Sequence, residues 1–97
     1  GKVAEASATL RLMANEKRLL VLCQLALAGE MSVGALAEAV GLSQSALSQH
    51  LARLRVDGLV AARREAQVLH YRISDPRVEK LLQALRTIFC PDSETGA

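Results

Sequence analysis

The stretch from Ser32 to Asp57 constrains this chain more than any other. Ser32 and Ser43 each stand where a hydroxyl can cap the N-terminus of a helix, and Gly41 falls between them, where a glycine can end one helix and turn the chain. The spacing predicts a short helix over 33–40 and a longer one over 43–57, separated by about three residues containing Gly, which is the helix-turn-helix pattern.

The flanks extend that pattern in both directions. Apolar spacing predicts a helix over 3–13 with Ala6, Leu10 and Met13 on one side. Asn15 is a cap and Glu16 a first-turn carboxylate for a helix over 16–28, which Gly29 stops. Leu19, Leu20, Val21, Leu22, Leu25, Ala26 and Leu27 surround that second helix on nearly every side, which places it in the middle of the fold. After Gly58, strands over 59–64 and 68–73 are expected around a turn at Glu65, Ala66 and Gln67, with Leu69, Tyr71 and Ile73 alternating on the return. Asp75 and Pro76 then open a helix over 75–89 whose apolar stripe is Val78, Leu81, Leu82, Leu85 and Phe89, and Pro91 stops it.

With one Tyr, one Phe and no Trp, the core must come from Leu, Val and Ala, which favours helices. The expected fold is mainly α with a small β-hairpin: a winged helix-turn-helix forming a single DNA-binding and dimerisation domain over residues 1–97.

The second helix of the motif has two chemically distinct sides. At about 100° per residue, Gln44, Ser45, Ser48 and Gln49 share an arc of about 140°, while Ala46, Leu47, Leu51 and Leu54 lie on the other side. Amides can bond adenine bidentately and short hydroxyls can approach bases or phosphates in the major groove. On an isolated helix these side chains would simply be solvated; between a capped helix and a basic hairpin they point to base reading. Arg63, Arg64 and Gln67 of the hairpin suit phosphates or the minor groove, and Arg53 and Ser43 suit the DNA backbone, although each arginine alone reads equally as a solvated charge. His50 falls toward the packed side as a structural residue held by a hydrogen bond, and His70 on the second strand is expected to face solvent.

Net charge is only +2, too small by itself to demand a polyanionic partner. Between Ser43 and Arg72, however, five basic residues (Arg53, Arg55, Arg63, Arg64, Arg72) face two acidic ones (Asp57, Glu65). No apolar run approaches the roughly 18 residues of a membrane span, and no basic segment leads into a signal-type apolar stretch, so a cytoplasmic protein is expected. In that compartment Cys23 and Cys90 are either small apolar residues or redox-active thiols, not a constitutive staple. No nucleophile with a base partner, phosphate loop or metal cluster can be assembled, so an enzyme is not expected.

The run Ser32-Val-Gly-Ala-Leu-Ala-Glu-Ala-Val-Gly-Leu-Ser-Gln-Ser-Ala-Leu-Ser-Gln-His-Leu-Ala-Arg-Leu-Arg55, followed by Asp57-Gly58-Leu59-Val60, closely resembles the ArsR (ArsR/SmtB) family of bacterial repressors. The resemblance covers nearly the whole chain. It implies a homodimer formed through the first and last helices, with two recognition helices presented to a pseudo-palindromic operator in double-stranded DNA. Where arsenic and cadmium sensors of that family carry Cys-Val-Cys, this chain has Ser32-Val33-Gly34. Where zinc sensors carry their last-helix ligands it keeps Asp75 but has Arg77, Ile88 and Pro91, so no metal site and no cofactor is expected.

Leu22-Cys23-Gln24 and Phe89-Cys90-Pro91, with Ala14-Asn15-Glu16-Lys17-Arg18-Leu19 and Arg64-Glu65-Ala66-Gln67, resemble the persulfide-sensing branch of the family. That resemblance implies a repressor whose operator affinity is switched by reactive sulfur species through a Cys23–Cys90 disulfide or polysulfide bridge, with Cys90 the more accessible thiol. The alternatives are an activator or antirepressor of virulence or biofilm genes, or a general peroxide sensor, without sulfur selectivity. From another class, a winged-helix module could serve protein contact alone.

Overall fold

The computed structural model describes residues 1–90, so the expected stop at Pro91 lies outside the described residues. Chain order is α1 (Lys2–Met13), α2 (Glu16–Ala28), β1 (Met31–Ser32), α3 (Val33–Val40), α4 (Gln44–Val56), β2 (Val60–Glu65), β3 (Val68–Ile73) and α5 (Pro76–Phe89). The three strands form an antiparallel sheet in the order β1-β3-β2.

Local chemistry explains the helix boundaries. The Asn15 carboxamide oxygen accepts from the amides of Lys17 and Arg18 at 3.0 and 3.2 Å. Ser32 Oγ accepts from Ala35 N–H at 3.2 Å, and Ser43 Oγ from Ala46 N–H at 3.1 Å. Each cap satisfies amides that no helical carbonyl can reach. Ser43 caps α4 as expected and Asp75 caps α5, so the helices proper begin one residue after the expected bounds of 43 and 75, at Gln44 and Pro76. α1 begins one residue early, at Lys2, and α4 ends one residue early, at Val56.

α3 ends on Gly41 in the left-handed region (φ 69°), with Leu42 N–H bonded to Ala37 O and Gly41 N–H to Glu38 O. The same hydrogen-bond pattern closes α4 at Gly58 and corrects the wing. Leu59 N–H bonds Leu54 O at 2.9 Å and is withdrawn from the sheet, so β2 covers 60–65 instead of the expected 59–64. Glu65 pairs with Val68, which leaves Ala66 and Gln67 as a two-residue turn rather than three. Ala66 takes φ 57° there, a left-handed conformation unfavourable for a residue with a Cβ.

β1 was not expected. Its two residues pair with β3, Met31 opposite Tyr71 and Ser32 opposite His70, and anchor the root of the wing to the end of α2.

Leu22, Leu36, Leu47, Leu51 and Leu54, with Val21 and Val78, are completely buried, and among the described residues no polar or charged side chain is buried. The three helices outside the helix-turn-helix are less covered than their sequences imply. Ala6 and Leu10 on α1 are exposed, leaving Met13 as its buried residue. On α2, Val21, Leu22 and Leu25 are buried, whereas Leu20, Ala26 and Leu27 are exposed, so α2 is not enclosed on all sides. On α5, Val78 and Leu82 are buried but Phe89 is 76% exposed. The chain presents more apolar helical surface than its own core covers.

Candidate nucleic-acid interface and thiol cavity

On α4 the expected division is realised in three dimensions. Leu47, Leu51 and Leu54 are fully buried, Ala46 is half-buried, and Gln44, Ser45, Ser48 and Gln49 are all exposed. Gln44 lies over Gly34 of α3, its Nε2 3.8 Å from where a Cβ would stand on that glycine. Arg53 is exposed farther along the helix, with Arg55 beyond it. Ser43 Oγ accepts the capping bond, which leaves its hydroxyl proton available to a phosphate.

The wing residues divide in a way their sequence does not show. Arg64 and Gln67 are exposed, and Arg64 has no ion pair with another described residue. Arg63, by contrast, donates from Nε and Nη2 to the Glu30 carboxylate at 2.8 to 3.1 Å, and its Nη1 lies 3.6 Å from Glu65. Hydrogen bonding from Arg63 holds the Glu30 carboxyl below its ordinary range. Sequence reading missed Glu30, since its arginine is 33 positions away and only the sheet register brings them together.

His50 is half-buried, and its Nδ1 accepts from Arg18 Nε at 3.3 Å, which joins α2 to the back of α4. His70 departs from the expected open exposure: its side chain is 23% exposed, with Nε2 3.6 Å from Glu65. The tertiary role of Arg18 left no local pattern, because a first-turn arginine ordinarily reads as a solvated charge.

Cys23 and Cys90 both stand as thiols and line the same cavity of about 640 Å³ between α2 and α5. Its walls are mainly apolar, including Leu19, Leu27, Leu82, Leu85 and Phe89, with Arg86 and Glu79 at the polar edge. Cys23 is half-buried and Cys90 exposed. Burial pushes the Cys23 thiol up, Cys90 adds to that rise, and Arg86 opposes it. At the N-terminus of α5, Arg77 holds Asp75 at 2.9 Å and reaches Glu5 of α1 at 2.7 Å, tying the first helix to the last. Among the described residues no three His, Cys, Asp or Glu side chains come together to hold a metal, and no helix is long and apolar enough to cross a membrane.

A capped helix pair, an exposed amide-and-hydroxyl face on its second helix, and an adjacent hairpin bearing arginines define a winged helix-turn-helix DNA-binding regulator of transcription. Residues 15–62 match the family described as bacterial regulatory protein, arsR family. The chain is 51% identical over 87 residues to the transcriptional activator HlyU of Vibrio cholerae serotype O1, across 90% of this chain and 80% of HlyU. Reduced HlyU from Vibrio cholerae N16961 superposes with a TM-score of 0.86 at 49% identity, over 92% of this chain and 93% of that one. The transcriptional repressor BigR from Xylella fastidiosa superposes with a TM-score of 0.86 at 37% identity, over 92% and 90% of the two chains. This chain belongs to the ArsR family of transcriptional regulators.

Proposed function

We propose that this chain is a cytoplasmic, homodimeric repressor whose operator affinity is switched by reactive sulfur species through a bridge between Cys23 and Cys90. The supporting observation is their position in one cavity, Cys23 on α2 and Cys90 at the C-terminal cap of α5. Gln44, Ser45, Ser48 and Gln49 read base edges, Ser43, Arg53 and Arg64 meet the backbone, and Gln67 lies along the minor groove. The bare apolar residues of α1 and α5, Val3, Leu10, Ile88 and Phe89, supply the surface for the second copy.

The chemistry balances with a low-molecular-weight persulfide, R–S–SH, as oxidant. The Cys90 thiolate attacks its outer sulfur, forming a Cys90 persulfide and releasing RSH. The Cys23 sulfur then attacks the inner sulfur of that persulfide, closing the disulfide and expelling hydrogen sulfide. Two protein thiols lose two electrons and two protons overall, and the donor's S–S bond is reduced. If a second donor extends the Cys90 persulfide before closure, the added sulfur remains in a longer bridge. The bridge ties α2 to α5 and changes the separation of two recognition helices that must match half-sites roughly 34 Å apart.

The experiment is operator binding by reduced and persulfide-treated protein, with intact mass on both and with Cys23→Ser and Cys90→Ser alongside. Loss of binding with a bridged mass in the parent, absent from both variants, is the expected result. Equal responses from all three proteins would end the cysteine switch. The name of HlyU favours a second reading, an activator or antirepressor on the same DNA surface. A promoter fusion that falls silent when the gene is deleted would select that reading over repression.

A further inference from the structure

We propose that Glu30 is the positioning residue of the wing: it holds Arg63 away from the DNA phosphates, so that Arg64 carries the wing's ionic contact. The inference rests on the DNA-binding reading of α4 and the hairpin, and is independent of the thiol switch.

Consider first how the Arg63 guanidinium is used. Its Nε lies 3.1 and 3.0 Å from the two Glu30 oxygens, its Nη2 lies 2.8 Å from Oε1, and its Nη1 faces Glu65 at 3.6 Å. One cation thus faces two carboxylates, and a phosphate approaching it would have to displace a bidentate partner. Arg64, the next residue on β2, points to the opposite face of the strand, is exposed, and has no ion pair with another described residue.

The clamp also crosses the sheet. Backbone hydrogen bonds join β1 to β3 and β3 to β2, but not β1 to β2. Glu30 directly precedes β1, and its bond to Arg63 spans the middle strand to fasten the outer one.

The number of phosphate contacts is read from the salt dependence of binding, whose slope changes by about 0.9 for each phosphate neutralised. The probe is a fluorescent duplex selected from a randomised pool by the reduced parent protein, titrated between about 50 and 200 mM NaCl. Arg64→Ala is expected to flatten the slope by about 0.9 for each wing in the complex, about a 3.5-fold change per wing across that range. Arg63→Ala should keep the parent slope, and Glu30→Gln should steepen it by about the Arg64 amount as Arg63 is released. Flattening by Arg63→Ala equal to that of Arg64→Ala, or a parent slope in Glu30→Gln, overturns the proposal. A merely structural role for the clamp would change melting temperature without moving the slope, and so also counts against it. Failure of the parent to select any duplex would instead strike the DNA-binding reading itself.

Discussion

Arg18 on α2 donates its Nε to Nδ1 of His50 on α4 across 3.3 Å, while its Nη1 reaches the Leu12 carbonyl of α1 at 3.4 Å. One side chain thus touches the first helix, the helix bearing Cys23 and the recognition helix. A double-mutant cycle with Arg18→Met and His50→Ala in urea should return a coupling of about 0.5–1.5 kcal/mol, the range for a single intramolecular hydrogen bond. Additive destabilisation would show that the contact contributes nothing measurable.

The exposed face of α4 can be tested apart from stability. Gln44→Ala and Gln49→Ala should each weaken operator binding by about 1–3 kcal/mol where a bidentate base contact is lost, and shift unfolding free energy by no more than about 0.5 kcal/mol. Fluorescence anisotropy and urea titration of the same preparations separate the two quantities. Undiminished affinity in both variants would relocate base reading to another element.

Alkylation should distinguish the thiols. Burial raises Cys23 above the ordinary thiol range, so its thiolate is scarce at neutral pH, whereas Cys90 is exposed. With iodoacetamide and peptide mass spectrometry, Cys90 should label first at pH 7, and Cys23 should keep gaining rate as pH rises beyond about 9. Cys90→Ser removes the neighbouring charge and should shift the Cys23 profile toward lower pH. Faster labelling of Cys23 at pH 7 would reverse the assignment of the attacking sulfur.

Ala66 occupies the left-handed region in the wing turn. Ala66→Gly relieves a strain of about 1–2 kcal/mol and returns part of it as unfolded-state entropy, for a net gain of about 0.5–1 kcal/mol. Ala66→Val should move stability the other way. Thermal melts of the two variants check the sign.

Two carboxylates, Glu30 and Asp75, sit below their ordinary pKa, principally through hydrogen bonds from Arg63 and Arg77. A depressed folded pKa means that the unfolded chain binds protons first, so the stabilisation is complete above about pH 4.3 and is lost as pH falls through the folded values. Melting temperature should therefore drop on acidification below about pH 4, and less steeply in Glu30→Gln combined with Asp75→Asn. Identical acid profiles would show that neither pair contributes to the folded state.

Most of the architecture was legible because its signals are local. Asn15, Ser32, Ser43 and Asp75 each cap the helix they precede, and Gly41 turns the chain at the expected place. The chemical split along α4 was visible from spacing alone, since burial of Leu47, Leu51 and Leu54 leaves the amide-and-hydroxyl arc outside. Long-range relationships were not legible. β1 is too short to show a period, and Glu30 meets Arg63 only after three strands have taken their register. Leu59 read as a strand residue because its side chain is apolar, but its amide had already been taken by the end of α4.

An interior built mainly of leucine and valine, with no charged side chain buried among the described residues, has a mechanical meaning. Leucine and valine surfaces can slide by fractions of an ångström without severing any directional bond, whereas an internal polar network would register each helix in one place. The orienting contacts lie instead at the periphery, between Arg18 and His50, Arg63 and Glu30, and Arg77 and Glu5. The proposed switch, which exchanges two shapes on a nucleic-acid lattice, is served by such a lubricated centre, with its stops and latches placed outside where a chemical signal can reach them.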